Sequence, residues 1–208
     1  MRCLAVDPGS RAWGWAVYDT VAQTIDYARE TFPVHWSFPL RLRHLADRVA
    51  TLIDQYKPDL LVTEMQNHMR NMTTLRRLNA VVGVVLLTAE EYGIPVDELR
   101  IVEVRRLLIP KSLKRSKETM CQCLQECCNG DVQFLRQGTA KAPAFDASDA
   151  VGLAIFGASV KSVNAAEGAL YGRLPDITLR HQAPSGNQRG RRKRGAEGAA
   201  QHSRKAAR

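Results

Sequence analysis

A chain of 208 residues with 45% hydrophobic and 25% charged residues has the size and composition of one globular domain with a buried core, which excludes disorder throughout. Its 30 Lys and Arg against 21 Asp and Glu give a net charge of +9, an excess suited to a polyanion such as nucleic acid or an acidic membrane surface. Sorted by position, nine basic residues and one acid (Glu197) fall in 180–208, so that stretch carries +8 and residues 1–179 only +1.

The elements follow in chain order. Residues 2–6 are a short apolar run ended by the turn signal Asp7-Pro8-Gly9-Ser10, and Trp13 to Tyr18 resumes a strand-like stretch. Thr24 to Thr31 predicts a third strand, closing an antiparallel meander. After Pro39, apolar residues from Leu42 to Tyr56 recur every three or four positions, which predicts a helix stopped by Lys57-Pro58-Asp59. Leu60-Leu61-Val62-Thr63 reads as a strand buried on both faces, and Glu64 ends it. Thr73 to Tyr92 predicts a long helix whose apolar residues from Val81 to Leu87 cover more than one face. Arg100 to Val104 predicts a fifth strand, Ser116 to Cys128 a helix with Ser116 as cap, and Phe145 toward Val163 a final helix.

The expected fold is therefore α/β, a mixed five-stranded sheet flanked by helices over 1–179, followed by a disordered basic tail over 180–208. No run of about 18 apolar residues and no leader pattern is visible, so an intracellular, soluble protein without membrane association is expected, nucleus and nucleoid being indistinguishable. Cys121, Cys123, Cys127 and Cys128 do not resemble a disulfide framework. Zinc ligation is the alternative to plain thiols, but on one helix the four diverge.

The acids carry the chemistry. Asp7 and Glu64 each close a strand expected in the sheet interior, and Asp146 and Asp149, three apart, share one helix face. Taken singly, Asp7 also reads as a turn former, and Asp146 and Asp149 as acids suited to a helix N-terminus. Together, four carboxylates in one pocket need positive charge, and oxygen-only ligands favour Mg²⁺ or Mn²⁺. Two such ions about 3.5 to 4 Å apart can activate water and stabilise the leaving oxygen of a phosphodiester.

These residues carry a family resemblance. Ala5-Val6-Asp7-Pro8-Gly9-Ser10 followed by Trp13-Gly14-Trp15-Ala16-Val17 resembles the opening hairpin of RuvC-type Holliday junction resolvases, which have a ribonuclease H-like fold. Pro58-Asp59-Leu60-Leu61-Val62-Thr63-Glu64 is similar to that family's second acidic strand, the stretch from Asn71 to Pro95 to its long helix, and Phe145-Asp146-Ala147-Ser148-Asp149-Ala150 to its closing Asp-x-x-Asp-Ala motif. The resemblance covers roughly residues 1 to 160 in the family's order. It implies Asp7, Glu64, Asp146 and Asp149 as metal ligands, Mg²⁺ as cofactor with Mn²⁺ as substitute, and a homodimer that cuts two opposed strands of a four-way DNA junction during recombination, repair or replication. Extra apolar surface on the long helix agrees with a subunit interface. Where bacterial members carry an aromatic residue three positions after the glutamate, this chain has Asn67, then His68 and Met69.

Seven basic residues against Glu103 give residues 100–117 a charge of +6, and Arg70, Arg76 and Arg77 follow Glu64. Such runs are often plain solvated faces; flanking the acids, Arg70, Arg76, Arg77, Arg105, Arg106, Lys111, Lys114 and Arg115 become candidate phosphate contacts. Lys117, at a helix start, is the candidate lysine for the scissile phosphate, with Lys141 as alternative. Arg189 to Arg194 fits a nuclear signal as well as a DNA arm. The competing classes are a noncatalytic or RNA-processing relative of the same fold and an actin-like or sugar kinase ATPase, which needs a second lobe and further Gly-rich loops.

Overall fold

The computed structural model describes residues 1–66, 71–130, 137–138, 143–162 and 177–183. Strands β1 (Arg2–Asp7), β2 (Ala12–Asp19) and β3 (Thr24–Thr31) form the antiparallel meander. Helix α1 (Phe38–Tyr56) crosses to β4 (Leu60–Glu64), which lies parallel to β1, and α2 (Met72–Glu91) crosses to β5 (Val96–Leu99), parallel to β4. Then come α3 (Ile101–Leu108), α4 (Lys117–Cys127), β6 (Cys128–Gly130), a small ribbon of β7 (Gln137–Gly138) and β8 (Pro143–Ala144), α5 (Asp146–Ser162) and β9 (Ile177–His181). The sheet is mixed as expected, and wider: seven strands in the order β5-β4-β1-β2-β3-β9-β6.

Two differences from the sequence reading have physical causes. The fifth strand lies at Val96–Leu99, and Ile101–Leu108 is a helix instead, because Ile101, Val104 and Leu108 recur at helical spacing and Val104 and Leu108 bury in the core. Arg180 and His181, grouped by composition with the basic tail, belong to β9, which pairs in parallel with β3; residues 184–208 lie outside the described residues.

Alternation along the strands separates two cores. Leu4, Val6, Trp13, Trp15, Val17 and Leu61 face α1 and α2, where they meet Leu45, Val49, Leu52, Val81 and Val85. Ser37 and Asn71 cap these two helices, and Lys57, in the left-handed region at φ 48°, ends α1 just before Pro58. Glu30 ties α1 to the sheet by accepting from Arg48 at 2.8 Å and from the Trp15 indole at 3.0 Å. By length and mean hydropathy (1.2) α2 would suit a membrane span, yet Leu78, Val81, Val85 and Ala89 on it are buried within the protein.

The opposite core joins Cys3, Ala5, Ala16, Leu60 and Val62 to α3, α4 and α5. Cys121, Cys123 and Cys128 are buried there without a disulfide. Helix α5 presents Ala147, Ala150, Ala154 and Ala158, all essentially inaccessible, and a Cβ added to its Gly157 would come within 2.6 Å of Val62. Small side chains thus let α5 ride close on the sheet, so the position of its first turn follows from backbone packing.

Candidate active site

Strand register assembles the site. Asp7 on β1 pairs with Gly14 on β2, and Gly14 pairs with Arg29 on β3. On the other side Val6 pairs with Thr63, so Glu64 follows into place beside Asp7. A row Glu64, Asp7, Gly14, Arg29 therefore crosses four strands at the end where β1 and β4 terminate, on the face that carries α5.

Gly14 is the seat for α5. A Cβ there would lie 2.0 Å from the carbonyl oxygen of Asp146, so only a residue without a side chain lets the helix start at this point. Asp146 then meets the next residue of the row: Arg29 Nε donates to its Oδ2 at 2.6 Å. Asp149, one turn on, is fully inaccessible and is held by Lys117 Nζ at 2.5 Å and faced by Arg105 at 3.6 Å. Ser116 caps α4 by accepting from the Thr119 N–H, which places Lys117 at the helix start.

The electrostatics are those of crowded like charges. Burial first, then the charges of Asp149 and Glu64, raise the Asp7 carboxyl well above the usual carboxylate range, with Lys117 opposing. Burial also raises Glu64, which shares a hydrogen bond with Asp7 that partly offsets the shift. Burial alone would lower the Lys117 ammonium, but Asp149, Asp7 and Glu64 outweigh it and raise its proton affinity. Arg105 Nε and Asp149 Oδ1 are buried without a hydrogen-bond partner. Each costs about 1–3 kcal/mol in that condition, which fits a site built to receive something.

A divalent cation fits this donor set. The carboxylates of Glu64, Asp146 and Asp149 lie near enough to act on Asp7, Asp7 and Glu64 hold their protons more tightly than usual, and a buried oxygen of Asp149 lacks a hydrogen-bond partner. Among the described residues no three Asp, Glu, His or Cys side chains already converge at ligating distances; Arg29, Arg105 and Lys117 stand among the acids.

The structure separates the expected phosphate contacts. Arg105 turns inward, 16% exposed, onto Asp149. Arg106, Lys111, Lys114 and Arg115 are exposed on α3 and the connection leading to Lys117, and Arg76 and Arg77 are exposed in the first turns of α2, Arg77 over the Phe38 ring at 5.7 Å. Arg70, Lys141 and the segment Asn67 to Met69 lie outside the described residues. Gly14 and Arg29 escaped the sequence reading; the signal for Gly14 was a glycine inside an otherwise apolar strand, which marks a close approach, whereas nothing in the sequence flagged Arg29.

The profile of the family described as crossover junction endodeoxyribonuclease RuvC matches residues 3–157. A RuvC from Dictyoglomus thermophilum is 32% identical over 108 residues, covering 50% of this chain and 68% of the relative. Another, from Syntrophomonas wolfei, is 28% identical over 158 residues, 74% and 87% of the two chains. Thermus thermophilus RuvC, solved in complex with a Holliday junction substrate, superposes with a TM-score of 0.60 at 19% identity, covering 78% of this chain and 96% of that one. The yeast mitochondrial Holliday junction resolvase superposes with a TM-score of 0.51 at 16% identity, covering 74% and 75%. Both share the mixed-sheet, ribonuclease H-like fold described above.

Proposed function

The chain belongs to the crossover junction endodeoxyribonuclease RuvC family, and we propose that it is a divalent-cation-dependent endonuclease that resolves four-way DNA junctions. The observation that carries this reading is the in-register row that sets Glu64 and Asp7 against Asp146 and Asp149 on α5. Those four carboxylates would hold the cation, Mg²⁺ or Mn²⁺, and two ions suit their number. When bound, such ions supply Lewis acidity, lowering the proton affinity of water and taking charge from a leaving oxygen.

The protein's own groups do the rest. Lys117, 48% exposed and paired with Asp149, would meet the scissile phosphate. Arg105 holds Asp149 from behind. Arg76, Arg77, Arg106, Lys111, Lys114 and Arg115 carry flanking phosphates, which fixes the DNA without reading its sequence.

Substituting Asp146→Asn tests the assignment. Metal-dependent cleavage of a four-way junction should disappear while junction binding persists; retained cleavage in a clean preparation would remove Asp146 from the mechanism. Running junction, duplex and structured RNA side by side, with Mg²⁺ and with chelator, checks the substrate class. Loss of selectivity for the junction would favour a different role for the same fold.

A second copy of the chain would cover the outer side of α2, where Met72 and Leu87 are 59% and 61% exposed. The basic residues beyond Ala183 would extend the DNA contact. A dimeric mass by light scattering at micromolar concentration checks the first. A flatter salt dependence of DNA binding after truncation at Ala183 checks the second.

A further inference from the structure

Arg29 is the one positively charged member of the row that crosses the site. Lys117 and Arg105 both serve Asp149, so among the described residues Arg29 is the cation paired with Asp146. The pair is largely sheltered, with side chains 20% and 27% exposed, and its bond engages Oδ2 of the carboxylate. Arg29 reaches Asp146 from β3, across Gly14 and away from Glu64, so it closes the far side of the acid cluster.

A fixed guanidinium at this place has two effects. It holds the carboxylate in one orientation, because the planar Nε–H bond is directional. It also cancels negative charge that would attract a divalent cation; at an effective dielectric near ~20, a unit charge some ~5 Å away opposes such a cation strongly enough to change its affinity by at least about tenfold. A bound DNA strand brings phosphate charge into the same pocket and offsets that opposition.

We propose that Arg29 is a positioning residue that orients Asp146 for ligation and keeps the DNA-free site weakly loaded with divalent cation, so that full loading awaits the phosphate of the strand to be cut. This rests on the reading that Asp7, Glu64, Asp146 and Asp149 hold the cation.

The experiment titrates the full-length protein with Mn²⁺ in the absence of DNA and follows free ion by electron paramagnetic resonance. Arg29→Gln keeps a donor but removes the charge and should tighten Mn²⁺ binding at least about tenfold, whereas Arg29→Lys keeps the charge and should stay within a few-fold of the parent chain. Arg29→Met makes the same comparison should the Gln variant fail to fold, as read by circular dichroism. In junction cleavage, the neutral variant should lower kcat with little change in KM for DNA, and the Lys variant should recover part of the loss. Unchanged or weaker Mn²⁺ binding in a folded neutral variant overturns the proposal. Asp149→Asn separates the two layers: if no variant, the parent included, shows Mn²⁺ binding that Asp149→Asn removes, the cation reading itself fails.

Discussion

Acids sit at both ends of the sheet, and the two ends treat them in opposite ways. Where β1 begins, Asp19 accepts from Arg2 at 2.9 Å, and Asp26 accepts from Arg180 at 2.6 and 3.1 Å. Each of these two carboxylates has its own guanidinium. Where β1 ends, four carboxylates share Arg29, Arg105 and Lys117, and two of the four hold protons more tightly than usual. The first arrangement is satisfied within the chain and staples β9 to β3 and β1 to β2. The second sets three cations against four carboxylates and, on the proposed reading, would be completed from outside.

The strongest way to break the contrast is to move the helix that creates it. Gly14→Ala places a methyl group where the Asp146 carbonyl lies, so α5 must shift. We expect about 1–3 kcal/mol of destabilisation in urea unfolding and a loss of cleavage of about 100-fold or more in the folded fraction. Near-parent cleavage would mean that the site tolerates a displaced α5.

At the satisfied end the effects should fall on stability alone. Arg180→Ala leaves Asp26 without its guanidinium and should cost about 1 kcal/mol, moderated by the exposure of Arg180. Cleavage per folded molecule should be unchanged; a selective loss of cleavage would mean that the two ends communicate. The smallest effect concerns Asp19, whose carboxyl is lowered by the Ala22 backbone N–H, then by Arg2. A lowered acid contributes stability above its unfolded pKa, about 4, and that contribution disappears as pH falls through the folded value. Asp19→Asn should therefore flatten the acid limb of the stability profile by less than about 1 kcal/mol, and an unaltered limb would deny the interaction.

The sequence carried these two ends unequally. Asp7 and Glu64 were legible because an acid that closes a buried apolar run has few explanations, and Asp146 with Asp149 because their spacing sets them on one helix face. Arg29 was not legible, since its role depends on which β3 residue lies opposite Gly14, and register is decided by pairing across strands. The fifth strand was placed at Arg100 to Val104 instead of Val96–Leu99 because the few residues from Arg100 to Glu103 fit either period, and burial of Val104 and Leu108 decides for a helix. Strand β9 was hidden within a basic composition; Ile177 and Leu179 alternate inward, but five residues are too few to stand out.

Helix α5 rests on the sheet through alanines and glycine, with Val151, Leu153 and Ala154 wholly enclosed and Asp149 among them. The Asp149 amide, bonded to the Phe145 carbonyl, and those that follow it should exchange with solvent only through openings that breach the core, placing Asp149 in one of the most slowly opening parts of the molecule. On the proposed reading, accommodation of differently shaped DNA would fall to the long side chains around the acids, Lys117 foremost, while the acids would keep a constant spacing from one encounter to the next.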